Sequence, residues 1–245
     1  MYALIKTIIK RLIPKKFLFE NELILRKPYG LFYKGKKYQC NICKSNLKSF
    51  ITLSNKELLC PFCGSLPRNR RLWHLLNEGQ NLRGYVLHFS PNRCLYRILK
   101  KNKNISYYST DFTDAFLSDY KFDITNIEQL DEKFDTIICY HILEHIIDDK
   151  KAISELFRVL KPDGQLFIQT PFKEGSIYED YSITSAKERE KHFGQHDHVR
   201  VYSIQGLKER LESEKFKIEI KSFENGNDYF YFGLNSHETI LIATK

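Results

Sequence analysis

The stretch KFDTIICYHILEHIIDDKKAISELFRVLKPDGQLFIQTPF, residues 133–172, decides the fold. It opens with a buried apolar strand pattern over 134–142 and continues as a helical pattern through 148–160. A turn at 162–164 then leads into a second apolar strand over 165–171. Two strands joined through a helix predict a parallel β-α-β unit, because parallel neighbours need a crossover connection.

The same alternation continues on both sides of this stretch. Further strand patterns lie at 85–89, 105–110, 121–124, 216–223 and 239–244, and helical patterns at 68–83, 92–101 and 203–213. Alternating strands and helices predict a Rossmann-like α/β domain over 68–245, with a mostly parallel sheet covered by helices on both faces. No helical pattern separates the final two strands, so the last strand is predicted to pair antiparallel with its predecessor.

Four cysteines in front of this domain form two C-x-x-C pairs, Cys40 with Cys43 and Cys60 with Cys63. Sixteen residues separate the pairs, a spacing typical of a zinc ribbon, which we place at 39–67. Four thiolates close the metal shell, so the predicted Zn²⁺ is structural. Disulfides are the alternative, but no secretory signal indicates an oxidising compartment. Cys94 and Cys139 are predicted to be core thiols.

The net charge of +9 is concentrated at the front of the chain. Residues 1–75 carry 16 Lys and Arg against three Glu, whereas the remainder is slightly acidic. Such a front suits phosphates or anionic lipid, or serves only as a solubilising tail.

Residues 1–38 form a basic lead-in whose apolar positions at 4–12 recur at helical spacing and end near Pro14. This short amphipathic helix either packs on its own protein or makes peripheral contact with a membrane through residues 1–20. No apolar run is long enough for a transmembrane segment, and no secretory cleavage site follows the apolar start. We therefore expect a cytoplasmic protein, with contact to the inner face of the membrane left open.

The 133–172 stretch resembles the S-adenosylmethionine (SAM)-dependent methyltransferases of the type 11 group. In that group an F-D-x-I strand precedes H-x-L-E-H, a helix, the turn L-K-P-x-G and another apolar strand. The matching positions here are Phe134, Asp135, Ile137, His141, Leu143, Glu144, His145, Leu160, Lys161, Pro162 and Gly164. The resemblance implies the class I methyltransferase fold and SAM as cofactor.

The likeness extends to a bacterial subfamily of that group with a cysteine ribbon in front. The shared segments are CPFCGSLPRNR, LHFSP at 87–91 and FGQHDHVRVY at 193–202, together with Tyr178, Glu179, Asp180, Thr184 and Arg189. The resemblance leans towards cell-envelope or polysaccharide biosynthesis.

Ligands of open α/β sheets lie beyond the carboxyl ends of the strands, and this places the predicted cofactor contacts. The methionine part is predicted to contact the turn after the first strand, at His88, Phe89, Ser90 and Pro91. The ribose is assigned to Asp111 after the second strand, and the adenine to Asp123 and Ile124. The end of the fourth strand, at Cys139, Tyr140 and His141, is predicted to close the pocket.

One departure concerns the turn after the first strand, where most such enzymes carry a glycine-rich loop. No glycine occurs between Gly84 and Lys121, so the close backbone approach to the cofactor is assigned to Ser90 or Pro91.

The polar segment 172–202 is predicted to cover the substrate, because long connections in compact domains are often functional. We predict that His198 or His145 acts as the base that removes the proton of an acceptor hydroxyl. Asp197 and Arg200 are predicted to be the orienting residues. The alternative is an internal hydrogen-bonded network that only folds the segment. The H-x-x-E-H pattern at 141–145 also occurs in metalloproteases, but those carry it on a helix and here it follows a strand.

Three functions from different classes follow. The favoured one is O-methylation of a small molecule or a cell-envelope glycan precursor. The first alternative is an rRNA methyltransferase whose basic ribbon front holds RNA. The second is a non-catalytic zinc-ribbon adaptor with a degenerate methyltransferase domain.

Overall fold

The computed structural model describes residues 15–78, 82–224 and 227–245. These residues form two compact units. The front unit contains the described residues up to Leu75, joined by Arg93–Arg97 and Asn225–Ser236. The second unit contains the rest of the described chain. The amphipathic helix predicted at 4–12 lies outside the described residues, as does most of the segment 1–20.

Seven α-helices are found in the described chain. In chain order they are α1 (Lys15–Leu31), α2 (Pro67–Glu78), α3 (Arg93–Lys100), α4 (Asp149–Val159), α5 (Ala186–Phe193), α6 (Ile204–Glu212) and α7 (Asn227–Phe232). A short 3-10 helix occupies Leu143–His145. None of the described helices combines the length and the apolar character needed to cross a bilayer.

Twelve strands accompany them in the same described ranges. They are β1 (Lys34–Gln39), β2 (Asn46–Leu47), β3 (Ile51–Thr52), β4 (Leu58–Leu59), β5 (Gly84–Phe89), β6 (Ile105–Thr110), β7 (Phe134–Tyr140), β8 (Leu160–Gln169), β9 (Tyr178–Glu179), β10 (Arg200–Val201), β11 (Lys217–Phe223) and β12 (Glu238–Thr244).

The second unit is organised around a six-stranded sheet in the order β11-β12-β8-β7-β5-β6. β5, β6, β7 and β8 pair in parallel, whereas β12 runs antiparallel to both β8 and β11. The Rossmann-like methyltransferase sheet with its antiparallel last strand is therefore confirmed. The strand order reverses at β5, which lies between β6 and β7, and the carboxyl edge there is where such sheets bind ligands.

Apolar side chains are buried on both faces of this sheet, and one extended core cluster lies on one of the two faces. Alternate residues of the central strands, such as Leu87, Ile137 and Leu166, pack with Leu156 of α4 and Leu207 of α6, and all are fully buried. Burial of a leucine-sized side chain contributes about 1.5–3 kcal/mol, so this cluster contributes strongly to the stability of the unit.

The strand predicted at 121–124 is wrong. Backbone pairing there is limited to single bridges, Tyr120 to Thr110 and Asp123 to Asn126. The carboxylate of Asp123 accepts hydrogen bonds from both the amide and the hydroxyl of Thr125, each at 2.8 Å. Such a local turn competes with the sheet ladder. The apolar side chains of Phe122 and Ile124 still enter the core, and these produced the strand-like pattern.

The pairing of β11 with β12 is confirmed along their full length, from Lys217 opposite Thr244 to Phe223 opposite Glu238. The expectation that nothing helical separates them is wrong, because α7 lies between them. Its six residues, NDYFYF, are too short and too aromatic to show helical periodicity in the sequence.

Candidate functional site

The front unit brings Cys40, Cys43, Cys60 and Cys63 into one cluster, here called the cysteine cluster. One sulfur from each lies within 4.8 Å of the others, and all four are free thiols. The Sγ atoms of Cys40 and Cys63 are 3.6 Å apart, and those of Cys43 and Cys60 are 3.7 Å apart. Thiolates held at about 2.3 Å by one tetrahedral ion are about 3.8 Å from each other, so the geometry fits zinc.

Two equivalent turns of backbone produce this arrangement. The amides of Lys44 and Gly64 bond to the carbonyls of Cys40 and Cys60, at 2.8 and 3.0 Å. Both residues have positive φ, 59° for Lys44 and 73° for Gly64. Each turn follows a strand directly, since β1 ends before Cys40 and β4 before Cys60. Glycine adopts this conformation without steric cost at Gly64, whereas Lys44 adopts it with a side chain present.

Arg70 links several segments of the front unit through buried hydrogen bonds. Its side chain is fully buried and donates to the carbonyls of Leu58, Ser65, Phe232 and Gly233. This guanidinium therefore joins the second cysteine turn to Phe232 and Gly233, which are 162 and 163 positions after Arg70. Its positive charge also lies near the cysteines, where a four-thiolate zinc centre would carry net negative charge.

At the carboxyl edge of the sheet, the turn after β5 is held by Ser90 in a left-handed conformation with φ 44°. Its amide donates to the carbonyl of Thr110 at 2.7 Å, and its hydroxyl donates to Asp111 Oδ1 at 2.7 Å. Glycine usually supplies this conformation, and non-glycine residues in it cluster at functional sites. Ser90 thus adopts the left-handed conformation that glycine usually supplies.

The carboxylate of Asp111 is buried and well supplied with donors. Oδ2 accepts from Thr113 Oγ1, from the amide of Ala115 at 2.7 Å and from the amide of Phe116, while Oδ1 accepts from Ser90. A carboxylate offers about four acceptor positions, so a ribose would have to displace some of these donors.

The other residues predicted for the cofactor lie in two environments. His88 lies on the sheet face opposite the core cluster, where its Nδ1 is 3.0 Å from the hydroxyl of Tyr107, and burial lowers its pKa to about 3. The imidazole is thus neutral and engaged by a neighbouring strand. Phe89, Ile124 and Cys139 belong to the core cluster, and burial raises the pKa of the Cys139 thiol.

Pro91 is buried, while Asp123 and Tyr140 are partly exposed. None of the three belongs to the core cluster.

Around the end of β7 four side chains gather, here called the histidine cluster: His141, Glu144, His145 and His198. His141 has φ 55°, its amide donates to the carbonyl of Gln169, and its Nδ1 lies 3.3 Å from Glu144 Oε1. The rings of His145 and His198 meet edge to face with centroids 4.6 Å apart. One ligand atom from each of Glu144, His145 and His198 lies within 4.8 Å of the others.

Each ring of this last pair has an oxygen atom near its Nδ1. The Nδ1 of His145 is 3.3 Å from Asp197 Oδ2, and the Nδ1 of His198 is 3.2 Å from the carbonyl oxygen of Phe193. Burial and the neighbouring His145 lower the pKa of His198, so its imidazole is held neutral. The predicted catalytic residues His145, Asp197 and His198 are therefore neighbours in space.

Arg200 makes a different set of hydrogen bonds from this group, because its fully buried guanidinium donates to other parts of the protein. It donates to the carbonyls of Leu143, Ile146 and Ile147 and to Glu179 Oε2 at 2.8 Å. These bonds hold the segment after β7 in place, which makes Arg200 a positioning residue.

Sequence reasoning left Glu144 out of the predicted site, although it lies inside the quoted H-x-L-E-H motif. Two further polar atoms at the end of β8, Gln169 Oε1 and Thr170 Oγ1, are buried and accept or donate no hydrogen bond within the described chain. Buried polar atoms without partners are rare in proteins. Their position beside the end of β7 fits a ligand at this edge.

Comparison with known proteins gives the class of protein. Residues 69–219 match a family described as a methyltransferase domain. This match covers more than half of the chain, which therefore belongs to that methyltransferase family.

Curated relatives match over a short stretch. Ubiquinone biosynthesis O-methyltransferases from Pseudomonas fluorescens (strain SBW25) and Pseudomonas putida (strain W619) are each 42% identical over 51 residues, or 21% of this chain. The matched stretch spans about a fifth of their length, 22% in each case.

Solved structures share the fold. The YcgJ protein from Bacillus subtilis has a TM-score of 0.50 at 14% identity, covering 72% of this chain and 98% of that one. A SAM-dependent methyltransferase from Archaeoglobus fulgidus has a TM-score of 0.50 at 16% identity, covering 71% and 93%. The [4+2]-cyclase SpnF has a TM-score of 0.51 at 17% identity, covering 71% and 80%. The cyclase among them shows that this fold alone does not fix the reaction.

Proposed function

We propose that this protein transfers the methyl group of SAM to a hydroxyl oxygen of a small-molecule acceptor. The observation that carries the proposal is the histidine cluster at the carboxyl end of β7, beside the point where strand order reverses. Membership of a methyltransferase family supports the cofactor, and the cluster supports an acceptor whose proton must be removed.

The residues assigned to SAM are those of the turn after β5 and the segments that follow β6 and β7. Ser90 and Pro91 provide the close backbone approach, and Tyr140 and His141 border the methionine end. Asp111 takes the ribose after exchanging some of its present donors, and Asp123 and Ile124 border the adenine. His88 and Cys139 are buried in the sheet, so they support the residues that contact SAM instead of contacting it themselves.

Bound SAM supplies an activated methyl group, and the C–O bond forms as the S–C bond breaks. The chain orients the acceptor and accepts its proton. In the simplest form, an imidazole of His145 or His198 takes that proton, with Asp197 holding His145 through Nδ1. Arg200 fixes the backbone that carries Leu143 and Ile146, and so fixes where the cluster lies.

The acceptor class rests on two supports. The curated relatives are named for O-methylation in ubiquinone biosynthesis, and the subfamily resemblance favours a cell-envelope glycan precursor. Both are hydroxyl acceptors. The cysteine cluster holds a structural Zn²⁺ in this proposal, because its four sulfurs already complete a tetrahedral shell.

A SAM-binding measurement with a methyl-transfer screen over phenols, nucleotide sugars, glycans and RNA tests the proposal. We expect His198→Ala to bind SAM with unchanged affinity and to lose at least a hundredfold in turnover. The matched control is His196→Ala, which removes an exposed histidine two residues away. Failure of the wild-type chain to bind SAM would reject the function. Transfer to RNA alone would replace the small-molecule acceptor.

A further inference from the structure

The carboxylate of Glu144 is in an unusual environment. Its residue is 1% exposed, and neither oxygen accepts a hydrogen bond from any described residue. The Nδ1 atom of His141 lies 3.3 Å from Oε1. A buried carboxylate without donors is strongly unfavourable unless it is protonated or meets a cation. A proton-accepting pair of histidines does not explain why this carboxylate is buried beside them.

The neighbouring side chains supply a metal-binding donor set. His145 and His198 each contribute a ligand atom within 4.8 Å of a Glu144 oxygen and of each other. Ligands of one ion at about 2.1 Å are at most about 4.2 Å apart, so closure needs a shift below about 1 Å. Two imidazoles with one carboxylate are a recurrent set for divalent transition metals.

The second shell is also arranged as in metal sites. Histidine ligands commonly donate their other ring N–H to a carboxylate or a backbone carbonyl. Here the Nδ1 of His145 faces Asp197, and the Nδ1 of His198 faces the carbonyl of Phe193. With Nδ1 protonated, Nε2 of each ring carries the lone pair that a metal ion requires.

We propose that Glu144, His145 and His198 bind one divalent transition-metal ion, separate from the cysteine cluster. Three protein ligands leave coordination positions open, and an oxygen of the acceptor occupies one of them. The metal would lower the pKa of the bound hydroxyl, whose proton would then pass to solvent water, and in this state the imidazoles would serve as ligands instead of bases. The identity of that oxygen rests on the proposed function, whereas the metal site itself does not.

Mn²⁺ is the appropriate probe, because carboxylate and imidazole donors bind it and a four-thiolate site favours zinc. Zinc-loaded protein is titrated with Mn²⁺, and free Mn²⁺ is followed by electron paramagnetic resonance. We expect the wild-type chain to bind one Mn²⁺, and Glu144→Gln and His198→Asn to weaken binding at least tenfold. His196→Ala, which removes an exposed histidine outside the cluster, is expected to bind as the wild type does.

Thermal unfolding separates a metal role from a structural one. Mn²⁺ is expected to raise the melting temperature of the wild-type chain and to leave that of Glu144→Gln unchanged. Folded variants that bind Mn²⁺ as tightly as the wild type, or a wild-type chain that binds none, would overturn the inference. Methyl transfer that persists without Mn²⁺ binding rejects the metal site alone, and Mn²⁺ binding without methyl transfer rejects the proposed function alone.

Discussion

Ser90 illustrates how one residue can take over a task usually given to glycine. Its φ of 44° places a side chain in the left-handed region, which costs about 1–2 kcal/mol. The hydroxyl partly offsets this cost through its bond to Asp111. Glycine would adopt this conformation without strain, but only serine adds a hydrogen bond to Asp111.

This account predicts an order of stability for substitutions at Ser90. Ser90→Ala loses the bond to the carboxylate and keeps the strain, so it should lower the free energy of unfolding by about 1.5–3 kcal/mol. Ser90→Gly loses the same bond but relieves the strain, and should be about 1 kcal/mol more stable than the alanine variant. Urea denaturation of the three proteins measures both differences. Equal stability of the two variants would contradict strain at this position.

At the scale of elements, the polar segment 172–202 is folded by an ionic network. Glu179 of β9 pairs with Arg200 of β10 at 2.8 Å and with Arg210 of α6 at 2.9 Å. Arg210 also pairs with Asp149, the first residue of α4, at 2.5 Å. Four elements are thus joined by two arginines and two carboxylates. The alternative interpretation of the segment, an internal network that folds it, accounts for Arg200, while His145, His198 and Asp197 lie outside this network.

The network predicts a dependence of stability on acid pH. Hydrogen bonds and charges of Arg210 and Arg200 lower the pKa of Glu179 from 4.5 to about 2. A lowered carboxyl pKa contributes stability that is present above pH 4.5 and is lost as the pH falls towards 2. With allowance for partial exposure this amounts to about 2 kcal/mol.

Unfolding of the wild-type chain and of Glu179→Gln, followed between pH 7 and pH 2.5, tests this. The variant should be less stable at pH 7, and the difference should shrink as the pH falls below 4.5. A constant difference across this range would show that the ion pairs do not stabilise the segment.

At the scale of the whole molecule, the chain forms two compact units that are not consecutive in sequence. The front unit takes Arg93–Arg97 and Asn225–Ser236 from later in the chain. Arg70 reaches two carbonyls of this last segment. The cysteine cluster therefore belongs to a unit larger than the ribbon at 39–67.

Removal of zinc should act on the front unit. Without the metal ion, the four buried or half-buried cysteines repel one another when they ionise to thiolates. The two cysteine turns also lose the ion that joins them. We expect a strong chelator to release one zinc per chain and to increase hydrogen exchange across 40–65, with β7 and β8 remaining protected. Exchange that is unchanged after complete zinc removal would contradict a structural metal.

The sequence alone determined features that depend on local pattern. Strand and helix alternation predicted β5, β6, β7, β8 and α4 because a buried sheet needs apolar runs and a covering helix needs its own period. The spacing of Cys40, Cys43, Cys60 and Cys63 predicted the cysteine cluster because two turns suffice to present four sulfurs.

Tertiary structure decided what depends on contacts between distant residues. Glu144 and His198 are 54 positions apart, and only packing shows that the carboxylate is buried without donors beside that imidazole. Only the fold likewise shows that Arg200 is fully buried, and a local Asp123 turn replaces the strand that the apolar pattern at 121–124 predicted. Local propensity is written along the chain, whereas the desolvation and charge of a side chain are set by neighbours that only the fold brings together.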